Sequence, residues 1–525
     1  MPRSAILAVY RVRGGKKEAE GLAREIAHEQ TVEIPEELVE AGIREAAVGT
    51  VESVRPAPGG AFDVEIGYKP ALSGNQIPQL LNLLYGNVSI QRGVRLMDFH
   101  IPPEALARFH GPNHGIVGVR AALGVFGRPL LATAIKPNGA PLERLATLAR
   151  DFALGGGDIV KDDQNLAGET LAAFRERVAR CQEAVEDANR GTGRRTLYCP
   201  ILTAPQEEIE ERIRFALGLG VRGFLVCPML VGFDQTRLIA QKYRPVLIAH
   251  PSLTGTFYGR PDHGMGPGLL LGKLFRLLGA DASIFPNHGG RFPFSKEECL
   301  DIARRLREEW PPILPALPVP AGGMRFENLS AMGEEYGQDS VFLIGGALLA
   351  DPDGVERATG KFLAKIKEKF RERLKAPAST EAVSSCELPS SNGAPLSKAE
   401  HLVFENFRWR GRPAVEYKKS RELPFEGVAR HELVGKDGLK TAFELRYFEI
   451  APGGYTSLEK HAHTHTIVSL RGSGVLVKGD RRVAVKPLDI ACVDSMETHQ
   501  LRNEGSEPFG FLCIVDRDRD RPMKP

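Results

Sequence analysis

Segments typical of strands and of helices alternate eight times between residues 119 and 376, and this alternation restricts the fold more than any other feature. It predicts a parallel sheet, because each helix must carry the chain back to the same end of the sheet. Eight units in about 255 residues predict a closed (β/α)8 barrel. The predicted strands lie near 129–136, 158–161, 195–202, 223–230, 245–250, 282–286, 312–320 and 341–346. The predicted helices lie near 141–154, 169–188, 205–219, 234–242, 267–279, 295–310, 325–336 and 354–375.

Polar residues and glycines follow most of the predicted barrel strands. Ile159-Val160 is a short apolar strand that ends in Lys161-Asp162-Asp163. Barrel enzymes place their catalytic residues at this end of a strand, although a charged stretch can also be a solvated loop. The pairs Gly322-Gly323 and Gly345-Gly346 follow the last two strands, where barrels bind phosphate through backbone N–H groups. Further polar strand ends are Lys136-Pro137-Asn138, His250 and Asn287-His288-Gly289-Gly290-Arg291.

The regions on either side of the barrel differ from it in pattern. Residues 1–118 predict an α+β domain with strands near 5–10, 48–55, 61–68 and 88–98, and with helices at 16–27 and 76–85. Residues 377–398 are rich in Ser, Pro, Ala and Glu without periodicity, which predicts a flexible linker. Residues 399–525 contain short alternating runs between turn residues, which predict an all-β sandwich or jelly roll.

Histidines cluster in this last region. If residues 459–465 form a strand, alternation places Glu459, His461, His463 and His465 on one face, and His499 follows later in the chain. A single buried histidine is usually structural, whereas three in register with a distant fourth are typical of a metal site.

Composition restricts the function classes. The net charge of +3 and the absence of a basic tract give no electrostatic case for nucleic-acid binding. No apolar run reaches the roughly 18 residues that span a bilayer, and the first residues lack the apolar segment of a signal peptide. The seven cysteines form no Cys-x-x-Cys pair. We therefore expect a cytoplasmic protein that binds neither nucleic acid nor membranes.

The motifs of the first 375 residues resemble the RuBisCO large subunit, and more closely the non-carboxylating RuBisCO-like proteins. The resemblance implies that Lys161 forms a carbamate and binds Mg2+ with Asp163 and the residue at position 164. It implies that Lys136 in Ala134-Ile135-Lys136-Pro137 assists enolisation. His250, His288 and Arg291 would contact the sugar, and the glycine pairs would bind phosphate. Asn87, with Glu29, matches residues that the family lends to a neighbouring subunit, which implies a homodimer or a higher homo-oligomer.

Several residues depart from the carboxylase pattern. Gln164 replaces the metal-ligand glutamate, so Mg2+ should bind more weakly. Asn138 replaces the second strand-1 lysine, Pro251 replaces the arginine that grips the second phosphate, and Ala321 replaces a phosphate-contacting serine. No flexible lysine loop follows the sixth strand. We therefore expect no carboxylation of ribulose bisphosphate, and expect the steps that polarise a ketone, remove an α-proton and stabilise the enediolate.

The carboxyl-terminal region resembles a cupin. That resemblance implies a divalent transition metal (Mn, Fe, Ni or Zn) bound by His461, His465 and His499, with His463 or Glu459 in the fourth position. Cys492 precedes His499 by seven residues in the sequence. A thiol beside a metal could act as a nucleophile, although such a cysteine is more often a small buried hydrophobe.

The helix Phe174–Val185 and the Phe285–Phe292 run are similar to RuBisCO-like proteins of the methylthioribulose-phosphate isomerase type. This implies 5-methylthioribulose 1-phosphate as substrate, in methionine salvage, with a 1-methylthio-pentulose 5-phosphate as product. Cupins partner this type by removing methanethiol from that product. Two alternatives remain open: an enolase or decarboxylase of another sugar phosphate with an isomerase or regulatory cupin, and a cupin that senses a metabolite and regulates the barrel.

Overall fold

A computed structural model of the chain describes residues 4–375, 404–405, 407–409, 412–417, 423–435 and 443–516. The chain divides into two compact units, Met1–Thr380 and Glu381–Pro525. The predicted linker, residues 377–398, lies outside the described residues. Within the ranges given above, no helix is long and apolar enough to cross a membrane.

The amino-terminal part of the first unit is a five-stranded sheet with helices, as the α+β prediction requires. Its strands are β1 (Ile6–Arg13), β2 (Thr50–Ala57), β3 (Ala61–Tyr68) and β4 (Val94–His100), joined by a short later strand, and the first four pair antiparallel. Residues 88–90, predicted as the start of a strand, instead belong to the 3-10 turn Asn87–Ile90, so β4 begins only at Val94. The helices here are Lys16–Glu29, Ala41–Ala47, Ile77–Tyr85, Pro103–Leu106 and Gly115–Leu123.

Eight parallel strands form the predicted barrel. In chain order they are β5 (Leu130–Ile135), β6 (Ile159–Asp162), β7 (Leu197–Cys199), β8 (Gly223–Val226), β9 (Val246–Ala249), β11 (Ala282–Pro286), β12 (Leu317–Ala321) and β13 (Val341–Leu343); β10 (Gly264–Met265) joins the amino-terminal sheet. The sheet order is β7-β6-β5-β13-β12-β11-β9-β8, and a parallel bridge between Ile201 and Leu225 brings its two ends together. All six residues of β5 are buried, as expected for a sheet covered on both faces.

Helices follow the barrel strands close to the predicted positions. The main ones are Leu142–Leu154, Leu171–Thr192, Gln206–Gly218, Phe233–Tyr243, Lys296–Arg307, Leu329–Tyr336 and Gly354–Lys375, and a π-helical segment at Gly268–Leu274 continues into Phe275–Leu277. Several strands are shorter than predicted, and prolines account for two of them, β7 and β8. Pro200 directly follows β7, and Pro228 begins a helical turn after β8, because proline offers no N–H to a sheet ladder. Short helices also occupy Pro228–Val231, Gly255–Tyr258 and Gly346–Leu349.

The second unit is all-β, as predicted. Its strands are β14 (Phe404–Glu405), β15 (Arg408–Trp409), β16 (Ala414–Glu416), β17 (Glu426–Val434), β18 (Phe443–Tyr455), β19 (His465–Arg471), β20 (Gly474–Lys478), β21 (Arg481–Val485), β22 (Ile490–Val493), β23 (His499–Arg502) and β24 (Phe509–Asp516). The main sheet has the order β21-β20-β23-β18-β24-β19-β22, with β16 and β17 paired beside β18. A core of Phe448, Ile450, Ile467, Phe509 and Phe511 fills its interior.

Candidate active site and metal centre

Buried hydrogen bonds fix the end of β6, where the central motif of the sequence lies. Asp162 is fully buried, ion-paired with Arg177, and accepts hydrogen bonds from Tyr198 Oη at 2.7 Å and the Ile201 backbone N–H at 2.8 Å. Gly157 precedes β6, where a Cβ atom would lie 2.1 Å from the Phe152 ring, so no larger residue fits. Asp162 therefore holds the strand end in place, and Lys161 and Asp163 on either side of it carry the available chemistry.

Lys161 is a buried lysine with a perturbed pKa. Its Nζ donates to the Asp162 carbonyl oxygen at 2.9 Å. Burial lowers the pKa of Lys161 to about 8; the nearby Asp163 carboxylate opposes this shift, and the Lys136 ammonium adds to it. A fraction of the amine is therefore neutral near pH 7, and the neutral amine is nucleophilic.

Lys136, Asp163 and Gly345 bring the ends of three neighbouring strands together. Lys136 Nζ lies 3.6 Å from Asp163 Oδ2. A Cβ placed on Gly345 would lie 3.6 Å from the same Nζ atom, so this lysine also borders the glycine turn after β13. Asp163 Oδ1 accepts the Asn165 N–H at 3.0 Å, which orients the carboxylate. The metal motif, the catalytic-lysine motif and one glycine pair thus share one cleft.

His250 follows β9 and belongs to the same charged group. Burial lowers its pKa to about 3, and the positive charges of Lys161 and Lys136 lower it further. Its Nδ1 lies 2.9 Å from Ser252 Oγ, which orients the ring. The imidazole is therefore neutral at physiological pH and can accept or donate a hydrogen bond without carrying charge.

A cavity of about 790 Å³ adjoins the two glycine pairs. Gly322, Gly323, Gly345 and Gly346 all line it. Gly323 has φ +68°, and a Cβ there would lie 3.2 Å from Gly290 Cα, so glycine lets the turns after β11 and β12 approach closely. Arg325 also lines this cavity. Arg325 was not among the residues predicted from the sequence, although its place two residues after a glycine pair is a usable signal for an anion site.

The loop after β11 places its predicted site residues in separate contacts and does not gather them at the cleft. His288 Nε2 lies 2.8 Å from Glu335 Oε2, and Lys296 contacts the same carboxylate at 2.6 Å. Asn287 is buried and accepts a hydrogen bond from Tyr336 Oη at 2.7 Å. Arg291 is exposed, and its guanidinium lies 5.1 Å from the Phe292 ring centroid. The described contacts do not bring Arg291 to Lys136 or Asp163, so its substrate role stays a prediction.

Asn87 and Glu29 form a pair on the amino-terminal domain. Asn87 Nδ2 donates to Glu29 Oε1 at 3.0 Å. The neighbouring Gln30 accepts the Val88 N–H at 2.8 Å, which fixes the turn that carries Asn87. Asn87 is exposed, so this pair lies on an accessible surface of the chain.

The donor set of the barrel fits Mg2+ only if Lys161 is carbamylated. As an amine, Lys161 adds a second cation beside Lys136, and Asp163 alone cannot offset both positive charges and attract a divalent ion. A carbamate on Lys161 would supply an oxygen ligand with a negative charge, beside the Asp163 carboxylate and the Gln164 amide oxygen. Oxygen ligands of this kind are the ones that Mg2+ prefers.

Three imidazoles form a candidate metal centre in the second unit. One nitrogen from each of His461, His465 and His499 lies within 4.8 Å of the others. His461 Nδ1 lies 2.7 Å from the His463 carbonyl oxygen and His499 Nδ1 lies 2.8 Å from the Glu497 carbonyl oxygen, so these Nδ1 atoms carry the protons. Burial lowers the pKa of both His461 and His465, which favours the neutral, metal-binding form. Nitrogen donors of this kind suit Mn, Fe, Ni or Zn.

The local backbone of this cluster differs from the predicted strand. Residues 461–464 are not in a strand; Glu459 pairs with His499 through an isolated bridge, and β19 begins at His465. The prediction that alternation aligns four side chains was therefore wrong, and a bend at residues 462–463 brings His461 and His465 together instead. His463 stacks on His461 with ring centroids 3.7 Å apart, and both His463 and Glu459 lie outside the three-nitrogen group.

Cys492 does not face this metal centre and is exposed, so neither alternative that the sequence left open, a nucleophile beside the metal or a small buried hydrophobe, matches its position. It pairs with Thr466 across β22 and β19, its Sγ lies 3.7 Å from Thr466 Oγ1, and it is exposed. Since Thr466 and His465 are adjacent on one strand, they point to opposite faces. The thiol beside the imidazoles belongs to the buried Cys513, whose Sγ lies 3.5 Å from His465 Nδ1.

Comparison with known proteins agrees with this geometry. The family model of the ribulose bisphosphate carboxylase large chain, catalytic domain, matches residues 115–287, and that of the cupin domain matches residues 446–515. The chain is 39% identical over 362 residues to the 5-methylthioribulose-1-phosphate isomerase of Rhodospirillum rubrum, covering 68% of this chain and 95% of that protein. It is 33% identical over 314 residues to the 2,3-diketo-5-methylthiopentyl-1-phosphate enolase of Geobacillus thermodenitrificans, covering 59% and 76%.

Solved structures show the same relationship. A Rubisco-like protein from Rhodopseudomonas palustris aligns with a TM-score of 0.63 at 34% identity, over 70% of this chain and 98% of that one. A dimeric archaeal Rubisco from Hyperthermus butylicus aligns with a TM-score of 0.64 at 26% identity, over 70% and 91%. The fold and the strand-end motifs define a RuBisCO-type barrel enzyme. The chain belongs to the RuBisCO-like protein family, and it carries a carboxyl-terminal cupin domain.

Proposed function

We propose that the barrel isomerises 5-methylthioribulose 1-phosphate to a 1-methylthio-pentulose 5-phosphate. The observation that carries this proposal is the contact of Lys136 with both Asp163 and the Gly345 turn, beside a glycine-lined cavity. A ketose with a single phosphate matches this arrangement, in which the glycine turns offer one anion site next to the Lys136 ammonium and the Asp163 carboxylate. The 39% identity to a 5-methylthioribulose-1-phosphate isomerase supports this choice of substrate.

The isomerisation moves a carbonyl along the sugar through two enediols. A proton leaves carbon 3 and one returns to carbon 2, and the same exchange between carbons 4 and 3 then completes the shift. Lys136 is the acid–base group nearest the carboxylate, and its ammonium stabilises the enediolate oxygen. Neutral His250 orients a hydroxyl without adding charge, and the glycine turns with Arg325 hold the phosphate.

Mg2+ bound by carbamylated Lys161, Asp163 and Gln164 would polarise the ketone. The chain contributes the position of these groups, since the buried Asp162 and Arg177 pair fixes the backbone between two of them. Asn87 and Glu29 would complete the site of a neighbouring copy. The exposure of Asn87, its hydrogen bond to Glu29 and the dimeric assembly of an archaeal Rubisco of the same fold support a homo-oligomer.

The cupin would act on the product of the barrel. Replacing the carbon–sulfur bond at carbon 1 with a carbon–hydrogen bond requires a reductant, so the step consumes a thiol. R–CH2–S–CH3 and R′SH give R–CH3 and the mixed disulfide R′S–S–CH3, and a second thiol then releases methanethiol. The three imidazoles would hold the metal that polarises the ketone at carbon 2. A short-range transfer between fused domains raises the effective concentration of the intermediate.

A second candidate is the enolisation of 2,3-diketo-5-methylthiopentyl 1-phosphate, because a relative of that name is 33% identical. The same lysine and carboxylate can perform it, since it too removes a proton next to a ketone. This candidate differs in substrate and ends at the enol, whereas the isomerisation returns a proton to carbon and forms a new ketone.

Both candidates are tested by incubating the purified full chain separately with each compound and following the proton NMR spectrum. We expect consumption of 5-methylthioribulose 1-phosphate and, with added thiol and transition metal, loss of the carbon-bound S–CH3 signal. Turnover of the diketone alone would favour the enolase, and turnover of neither would reject both.

A further inference from the structure

The guanidinium of Arg446 lies inside the cupin beside the candidate metal centre. Arg446 Nη2 donates to Cys513 Sγ at 3.5 Å, and that sulfur lies 3.5 Å from His465 Nδ1. One sulfur atom therefore separates the guanidinium from a candidate metal ligand. Arg446 pairs with Cys513 across β18 and β24, and its guanidinium lies 5.3 Å from the ring centroid of the buried Phe448.

Arg446 has hydrogen-bonding capacity that the protein does not use. A guanidinium carries five N–H donors, and the Arg446 Nε atom is buried without a hydrogen-bond partner. His465 Nε2 is also buried without a protein partner, as expected of the nitrogen that would bind the metal. A buried guanidinium donor is normally satisfied, so the unsatisfied Arg446 Nε atom beside this centre indicates a site for a polar ligand.

The charges around Arg446 distinguish it from the other arginines of the sheet. Across the described part of the chain, no carboxylate lies within ion-pair distance of Arg446. Arg430 is paired with Glu432 at 3.0 Å, and Arg471 with Glu449 at 2.9 Å. Glu432 is opposite Arg446 on β17 and Glu444 is two residues along β18, so both acids face this region without forming an ion pair with the Arg446 guanidinium.

We propose that Arg446 binds the phosphate of the small molecule whose other end reaches the three imidazoles. An arginine fork matches two oxygens of a phosphate monoester, and its partial burial strengthens the charge-assisted hydrogen bonds. This proposal deepens the proposed function, because it assigns an anion-binding residue to the cupin and restricts its ligands to phosphorylated compounds. The buried Cys513 between the two ends would lie alongside the carbon chain of the ligand.

The test measures binding of inorganic phosphate to the full chain by equilibrium dialysis, in wild type and in Arg446→Met. We expect two classes of phosphate site in the wild type, one in each unit, and about tenfold or greater weakening of one class in Arg446→Met. The control Arg471→Met removes an arginine of the same sheet that is already paired, and should retain both classes. Arg446→Lys, which keeps the charge without the fork, should retain part of the binding.

Metal content and acetate competition complete the test. Arg446→Met should keep the metal content of the wild type, which shows that the cupin remains folded. Acetate at equal ionic strength should not displace phosphate from the affected site. Unchanged phosphate binding in Arg446→Met, or equal displacement by acetate, would overturn the proposal. If the wild type shows only one class of phosphate-binding site, and Arg446→Met loses it, the result supports the Arg446 site and contradicts a phosphate site in the barrel.

Discussion

In the proposed function, the barrel site and the cupin site would both hold positive charge next to a ketone, but with opposite chemistry. In the barrel, Lys136 and Lys161 supply the charge and Asp163 partly offsets it. In the cupin, three imidazoles lie close enough together to bind a metal, and burial lowers the pKa of two of them, His461 and His465, which favours their neutral form. Lys136 therefore keeps a positive charge of its own in the barrel even where Lys161 carries a carbamate, whereas the cupin depends on its metal for positive charge.

The sites also differ in how the fold positions them. Barrel residues follow separate parallel strands, and the buried Asp162 and Arg177 pair fixes one of the strand ends. In the cupin, His461 lies beside a bend, His465 begins β19 and His499 begins the distant strand β23. Backbone carbonyl oxygens fix the rings of His461 and His499. Substitutions should consequently separate the two activities.

The largest expected effect is on cupin metal. His461→Ala removes one of three ligands and should reduce the bound transition metal to a small fraction of the wild-type content, as measured by atomic emission. His463→Ala removes the imidazole that stacks on His461 outside the group, and should retain the metal. Loss of metal in His463→Ala as well would add His463 to the ligand set.

In the barrel, Lys136→Met should lower solvent deuterium exchange into 5-methylthioribulose 1-phosphate by about 10²–10⁴-fold, the usual contribution of a general acid or base. The control Lys242→Met removes an exposed lysine paired with Glu210 and should exchange at the wild-type rate. Cupin metal should be unchanged in both variants. A reduction below tenfold in Lys136→Met would contradict the role assigned to this lysine.

Gln164→Glu tests whether charge limits the barrel metal. The added carboxylate should strengthen Mg2+ binding by roughly tenfold in the presence of bicarbonate, because Mg2+ prefers anionic oxygen ligands. Asn165→Asp adds the same charge one residue along on an exposed position and should change Mg2+ binding far less. Equal gains in the two variants would show that position 164 is not a ligand. Isothermal titration calorimetry with Mg2+ measures the Mg2+ affinity of each variant.

The smallest effect is expected for Cys492→Ser. Its thiol is exposed and on the face opposite the imidazoles, so thiol-dependent turnover by the cupin should change less than about twofold, within the range of ordinary surface substitutions. The assay is release of methanethiol at saturating co-substrate thiol. A large loss would restore Cys492 as a catalytic group and would require a different arrangement of β22.

The sequence predicted those parts of the molecule that depend on local pattern. Alternating apolar and helical segments predicted the barrel, and the helix Gly354–Lys375 has the predicted bounds. The cleft shared by Lys136, Asp163 and Gly345 follows from the rule that strand ends meet at one edge of a barrel. Residues 88–90 were mispredicted as strand, because the Val88 N–H donates to the distant Gln30 side chain and these residues form a 3-10 turn.

Features that depend on tertiary pairing could not be predicted. The bend at residues 462–463 interrupts an alternating pattern that is otherwise typical of a strand. Cys513 was missed because only the pairing of β24 with β19 brings it to His465. Arg325 follows Gly323 by two residues, which was a usable signal, but only the folded turn after β12 shows that it lines the same cavity as the glycine pairs.

The most direct test of the account uses the His461→Ala chain, in which the barrel is intact and the cupin lacks its metal. Proton NMR in D2O would follow 5-methylthioribulose 1-phosphate in the presence of Mg2+ and bicarbonate. The account predicts exchange of carbon-bound protons with solvent and accumulation of the 1-methylthio-pentulose 5-phosphate, with the S–CH3 group retained. A spectrum that stays unchanged would contradict enolisation by the barrel, and loss of the S–CH3 group would contradict the assignment of that step to the cupin.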